Sequence, residues 1–356
     1  MPTLTFKLIF SYRIFIYLLV FVLFPILLFY NSSLLGVKSY NHEFLSKKST
    51  DCIKGLSILV IILHHISLRM QPVGFMGIYT CLGHLAVSMF LFFSGYGLMV
   101  SKLKKKNYFK GFFSKRLSKV YLPFVIINAI TIILTSLIFG TKFNLKDIIF
   151  YLSGLSLIDS TQWFVIAILV FYLCFYVCFK FLSTNLAQHI LLFLTFVYFF
   201  AMIFMGFREW WYNTAFCFPL GVYAAINYDA LTKFLEKHYV KTLIIALIAF
   251  TFFFFLAHML PSAIMPLYQT IASIIFVYLV LLFLFKFRLS SKPLLFLGNI
   301  AYEIYLVHMK ILVAFFSFIG ARGSYIVYLY LILVIIVAFC FNKLFNLNKN
   351  KKVKLT

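Results

Sequence analysis

Long apolar runs separated by short polar connections repeat from one end of this chain to the other. Eleven stand out, over 8–30, 52–69, 78–100, 119–140, 162–182, 187–206, 211–228, 240–260, 265–286, 294–318 and 324–342. A helix that crosses hydrocarbon needs roughly 20 apolar residues, and most of the runs have that length. The pattern predicts an all-α fold, a polytopic transmembrane helix bundle of about 10–11 spans. The first run sits where a secretory signal would. Its apolar stretch is long, it contains Pro25, and no small-residue cleavage site follows, so a retained helix is expected. No internal repeat, low-complexity linker or stretch long enough for a soluble domain interrupts the series. The expected division is therefore an extra helix and its connection over 1–50, one membrane domain over 51–342, and a basic tail over 343–356.

Composition agrees with that reading and removes others. Of 356 residues 64% are hydrophobic and 11% charged, against about 45–50% and 25% in soluble domains. An ordinary soluble enzyme, a disordered chain and a secreted disulfide scaffold are excluded. The six cysteines lie mostly inside apolar runs and read as small core residues. Cys174 and Cys178 share a helix face at i, i+4, but no His or carboxylate joins them at ligand spacing, so no metal is expected.

Charge sets the orientation. The chain carries 32 Lys and Arg against 8 Asp and Glu, a balance that suggests nucleic acid in a soluble protein. Here the cations collect between spans, so the bilayer is the expected partner and nucleic acid is not. The connection 101–118 holds Lys102, Lys104, Lys105, Lys106, Lys110, Lys115 and Arg116. Placed inside, it puts Lys47 and Lys48, Lys233 and Lys237, Lys286 and Lys292, and the tail inside as well. The other side keeps scattered cations such as Lys142, Arg208 and Arg322. A multi-pass protein of the plasma membrane, N-terminus outside and C-terminus cytoplasmic, is expected.

Ionisable groups inside spans are costly and point to function. The second run opens Asp51-Cys52-Ile53-Lys54-Gly55 and reaches His64-His65. Asp51 suits a helix N-terminus. Eleven residues on a helix return to within roughly 20° of the starting face, about 16 Å higher. One face thus carries Lys54 near the inner surface and His65 deep in the membrane, with His64 turned about 100° away. His84, entering from outside, and His308, about 21 Å above the inner end of its span, reach a similar layer. Interhelical hydrogen bonding is the plain reading of a membrane histidine. The sharper one is an imidazole that accepts a proton in catalysis. Glu303, below His308, would orient a histidine or neutralise a cation; its plain reading is a salt bridge to Lys54 or Arg116.

Arg116 and Lys119, at i, i+3 ahead of Tyr121 and Pro123, are either ordinary inside charge or a phosphate site. Ser94-Gly95-Tyr96-Gly97 reads as close helix packing or as a narrow channel for an acyl carrier. Gln162-Trp163-Phe164 opens its span at the outer surface, where Trp commonly anchors in the interface.

These segments in this order resemble the integral membrane acyltransferase-3 family. Asp51-x-x-Lys54-Gly55 with His65 is similar to its first signature helix, in which Arg precedes a catalytic His. Phe92-Phe93-Ser94-Gly95-Tyr96 resembles its FFxSG(F/Y) helix, Arg116-x-x-Lys119 with Pro123 its RxxR segment, and Trp163 its Trp-led helix. Gly298-Asn299-Ile300-Ala301-Tyr302-Glu303-Ile304-Tyr305-Leu306-Val307-His308 resembles its closing segment. Lys54 and Lys119 stand in place of Arg, keeping the charge but losing the bidentate fork, and Ala301 replaces a common Ser. The resemblance implies transfer of an acyl group, usually acetyl from acetyl-CoA, to a hydroxyl of a cell-surface or lipid-linked glycan. It implies His65, His308 and Glu303 as catalytic residues and Lys54, Arg116 and Lys119 as donor-binding cations. Asp51, His64, His84, Ser94, Trp163 and Tyr302 would support them. Many relatives pass the group to a fused extracytoplasmic domain; here direct transfer, or transfer to a separate protein, is expected.

Three other readings compete. A glycan polymerase, ligase or flippase shares many spans, but the first two usually need a large external loop and the longest here is about 140–161. A secondary transporter would show paired halves with broken helices. An inactive scaffold would account for Lys54 and Lys119.

Overall fold

Every apolar run becomes helical in the computed structural model, which describes residues 7–10, 13–260, 263–319 and 323–353. Arg322 and the end of the basic tail lie outside those residues. The helices in chain order are α1 Ile14–Phe29, α2 Lys47–Ser67, α3 Gly74–Lys104, α4 Phe112–Phe139, α5 Leu145–Ser153, α6 Ser160–Phe181, α7 Thr184–Phe204 and α8 Cys217–Ile226. They continue with α9 Tyr228–Met259, α10 Met265–Lys286, α11 Lys292–Asn299, α12 Ala301–Ile319 and α13 Ile326–Val353. Among the described residues nine helices are long and apolar enough to cross a membrane. The bundle is all-α and multi-pass. The first and seventh runs fall short of the expected length: α1 has a π-turn at Leu19–Leu23 just before Pro25, and α8 is ten residues long. The tenth run is also not continuous. It stops at Gly298-Asn299, bends at Ile300 (φ −112°) and resumes as α12.

Burial ranks the helices. The apolar window of α2 is 72% buried and that of α9 only 11%, so α2 is central and α9 faces the lipid. Large side chains such as Leu137, Phe204 and Ile248 are exposed on outer faces, which hydrocarbon accommodates and water would not. Two crossings bring backbones into contact. A Cβ on Gly55 would stand 2.1 Å from the Leu294 carbonyl oxygen, and one on Gly298 1.9 Å from that of Asp51, which locks α2 to α11. Gly95 and Gly221 repeat the arrangement between α3 and α8, at 2.1 Å from Phe218 O and 2.0 Å from Phe92 O. Gly95 is therefore a packing residue, whereas Gly97 meets nothing within 4 Å.

The polar connections are tied together at the lysine-rich end. Lys102 Nζ donates to Thr184 Oγ1 (2.9 Å), joining the end of α3 to the start of α7. A two-stranded pair sets β1, Ser33–Leu34, against β2, Phe287–Arg288. Beside it Lys286 donates to the carbonyls of Gly36, Val37 and Ser39, and His42 meets Glu236 at 3.2 Å. α2 starts from this end under a Ser46 cap whose Oγ accepts from the Ser49 N–H, satisfying one of the free donors of a helix start.

Candidate active site

Because α2 is an unbroken helix, the spacing of its polar residues becomes distance along the bundle. Near its start Asp51 is buried and accepts from Lys54 Nζ (3.1 Å), with Lys47 at 3.5 Å on the other oxygen. Lys54 also lies 6.0 Å from the Phe93 ring centroid on α3. Three turns further on, His64 and His65 reach the opposite half.

There the imidazoles form a row. The His65 ring lies 5.0 Å from His64 and 5.2 Å from His308, centroid to centroid. His64 Nδ1–H donates to the Tyr79 carbonyl at the start of α3 (2.9 Å). His308 is fully buried, and its Nδ1–H donates to the carbonyls of Tyr305 (2.8 Å) and Ile304 (3.2 Å) on its own helix. A carbonyl accepts only from N–H, so Nδ1 carries the proton and Nε2 keeps its lone pair. Among the described residues, Nε2 of His308 and Nε2 of His84 are buried without a hydrogen-bond partner. His64, His65 and His84 line one cavity of about 320 Å³. Sequence spacing placed these four histidines in one layer, and the fold gathers them there.

A buried carboxylate in this half is Asp159, which the sequence reading missed; Glu209 also lines the cavity. Asp159 accepts from Thr161 N–H (3.0 Å) and Thr161 Oγ1–H (2.7 Å) at the turn that opens α6, and pairs with Lys310 Nζ at 3.4 Å. Both side chains are about a tenth exposed. Burial pushes the Asp159 carboxyl up, but the Lys310 ammonium and the two Thr161 donors outweigh it and hold the group below its usual range. Asp159 also acts electrostatically on His308. Tyr305 OH donates to the Thr161 carbonyl and Tyr330 OH to that of His308 (3.1 Å), bracing α12. Arg69, just past α2, donates to the His65 carbonyl (3.1 Å). Lys310, a cation within an apolar run two residues after His308, is the signal that would have exposed the pair.

Glu303 does not join the histidines. It stands five residues before His308, about 7.5 Å lower on α12, and accepts from Asn342 Nδ2 on α13 (3.0 Å). Tyr302 OH donates to the Val120 carbonyl on α4. The Arg116 guanidinium lies between the rings of Phe112 (5.4 Å) and Tyr172 (5.3 Å) and donates to Tyr108 OH (3.2 Å). Lys119 is exposed one turn later. Arg116, Lys119, Tyr302 and Glu303 thus belong to the lysine-rich half. Ser94 is half-buried, ten residues and about 15 Å along α3 from His84, outside the histidine layer. Trp163 is not an interfacial anchor: it is 9% exposed, lines the cavity and packs on Trp211 at 6.0 Å. Among the described residues no three His, Cys, Asp or Glu side chains cluster as metal ligands would.

The arrangement has two parts along one bundle: cations at the lysine-rich end, and about 16 Å away along α2 a row of imidazoles opening on a cavity at the other. Residues 47–343, most of the chain, match the family model described as Acyltransferase domain. No curated protein and no solved structure matches the chain.

Proposed function

The chain belongs to the acyltransferase-3 family, and from that premise we propose that it moves an acyl group, acetyl in the first instance, from a coenzyme A thioester to a hydroxyl of a cell-surface polysaccharide or its lipid-linked precursor. The observation that carries this reading is the His65 ring, in contact with His308 and exposed to the cavity. Attack of an alcohol on a thioester requires a base for the hydroxyl proton, and His65 takes it as the new C–O bond forms. The tetrahedral intermediate then expels the coenzyme A thiolate, which recovers the proton. The His308 lone pair favours the transient imidazolium, and the Asp159 carboxylate acts through His308. Lys54, Arg116 and Lys119 bind the donor phosphates on the cytoplasmic side, to which the positive-inside rule assigns the lysine-rich end. The thioester arm spans the about 16 Å to His65, and the acceptor enters from the opposite face.

The test is glycan O-acetyl content by NMR in cells with and without the gene, and with a His65→Ala complement. Loss of one acetyl signal that the variant does not restore supports the reading, since removal of a general base costs about 10²–10⁴ in rate. An unchanged spectrum in all three strains contradicts the glycan acceptor. Full restoration by His65→Ala contradicts the base.

A further inference from the structure

Away from the histidines the cavity is lined by amides and indoles, together with one charged side chain of each sign, Arg69 and Glu209. Asn213, after the short turn Glu209–Trp211, is 3% exposed, and Gln269 on α10 is 9% exposed. Asn213 Nδ2 donates to Gln269 Oε1 (2.8 Å), and both residues line the cavity. Asn213 Oδ1 is buried and, among the described residues, has no partner. Two amides that share one hydrogen bond always leave one carbonyl oxygen and one NH₂ group, whichever of them donates. The amide pair therefore offers an acceptor beside a donor, both uncharged, and the opposite charges of Arg69 and Glu209 leave the lining without net charge, which suits a neutral occupant. A buried acceptor without a partner is costly, which favours an occupant with hydroxyl groups over one with a hydrocarbon chain.

The indoles supply the remaining surface. The chain has three tryptophans, and all are here: Trp163 and Trp210 line the cavity, and Trp211 packs on Trp163. An aromatic wall with a few convergent polar groups is the usual lining of a small-molecule site. Indole faces cover the C–H faces of a sugar ring, while an acceptor–donor amide pair reads its hydroxyls. We propose that Asn213 and Gln269, with Trp163 and Trp210, form the acceptor subsite, and that it takes a neutral sugar ring in preference to a charged or lipid acceptor. This deepens the acyl-transfer reading and rests on it for what happens to the bound hydroxyl.

Because every indole lies at the subsite, intrinsic tryptophan fluorescence reports its occupancy without turnover. The full chain in lipid nanodiscs is titrated with neutral hexose and N-acetylhexosamine oligosaccharides, with oligogalacturonate, and with a long-chain alcohol. A saturable change with a neutral sugar is expected, together with an affinity loss of about tenfold or more in Asn213→Leu and Gln269→Leu. The milder Asn213→Asp and Gln269→Glu, judged by melting temperature to be folded, keep that result readable and should also weaken neutral sugar. No saturable change with any neutral sugar overturns the proposal, as does tighter binding of oligogalacturonate or the alcohol, or wild-type affinity in the variants. Acetyl-CoA consumption by the same preparations separates the two readings. Sugar binding without consumption refutes acyl transfer and leaves the subsite; consumption without sugar binding refutes the subsite and leaves acyl transfer.

Discussion

Asp159→Asn should be among the most damaging single substitutions that leave side-chain shape almost unchanged. The carboxylate and Lys310 lie 3.4 Å apart with about a tenth of each side chain exposed. Removing one partner of such a pair costs about 3–5 kcal/mol, because the other charge stays buried and uncompensated. Asn keeps an oxygen for the Thr161 donors but leaves the Lys310 ammonium alone in the membrane. Lys310→Met should cost less, since Asp159 retains both Thr161 donors and the nearby Arg69 charge. The double variant should sit close to Lys310→Met, so the coupling in a double-mutant cycle should match the whole cost of Asp159→Asn, about 3–5 kcal/mol. Urea unfolding in detergent micelles, fitted for the four proteins, measures it. The carboxyl is held below its ordinary value, so its contribution is complete at neutral pH, above the unfolded-state value. That contribution is lost as pH falls through the lower folded-state value. Asp159→Asn should abolish this acid loss. Additive costs, or a cost for Asp159→Asn below about 1 kcal/mol as for an exposed pair, would refute the reasoning.

Three other outcomes follow from the same geometry. Gly298→Ala places a methyl group 1.9 Å from the Asp51 carbonyl oxygen and must push α11 off α2, at a cost of about 1–3 kcal/mol or more; an unchanged melting temperature would show a looser crossing. Lys54→Arg should lower the KM for acetyl-CoA with little change in kcat, and Lys54→Met should raise it, since a guanidinium grips phosphate through two N–H groups; identical KM values would remove Lys54 from the donor site. A cysteine in place of Lys104 should react with an impermeant maleimide only after the cells are opened, and labelling of intact cells would invert the topology.

The helices were legible because hydrocarbon imposes a length, and eleven runs near that length became helical. Breaks were harder to see. The stop at Gly298-Asn299 uses residues that end helices, yet the run 294–318 stays apolar on average across it. The histidine layer was legible because residue counts convert to height at a fixed rise. Rotation about each helix axis is set by packing, which no count reveals. Glu303, expected near His308, turns instead to Asn342 on α13. Trp163 looked like an interfacial anchor until Trp211, brought over by the turn at Glu209–Trp211, covered it. The Asp159–Lys310 pair joins residues 151 positions apart, and its acidic member lies in a connection where a carboxylate attracts no notice.

The most direct test of the central claim is a reconstitution. Purified wild-type protein and His65→Ala in proteoliposomes receive labelled acetyl-CoA on the side of the lysine-rich connections and a neutral oligosaccharide on the other. Wild type should release free coenzyme A and deposit label on the sugar in equal amounts, with the variant slower by about 10²–10⁴. Equal rates in the two proteins, or coenzyme A release from neither, would contradict acyl transfer through His65.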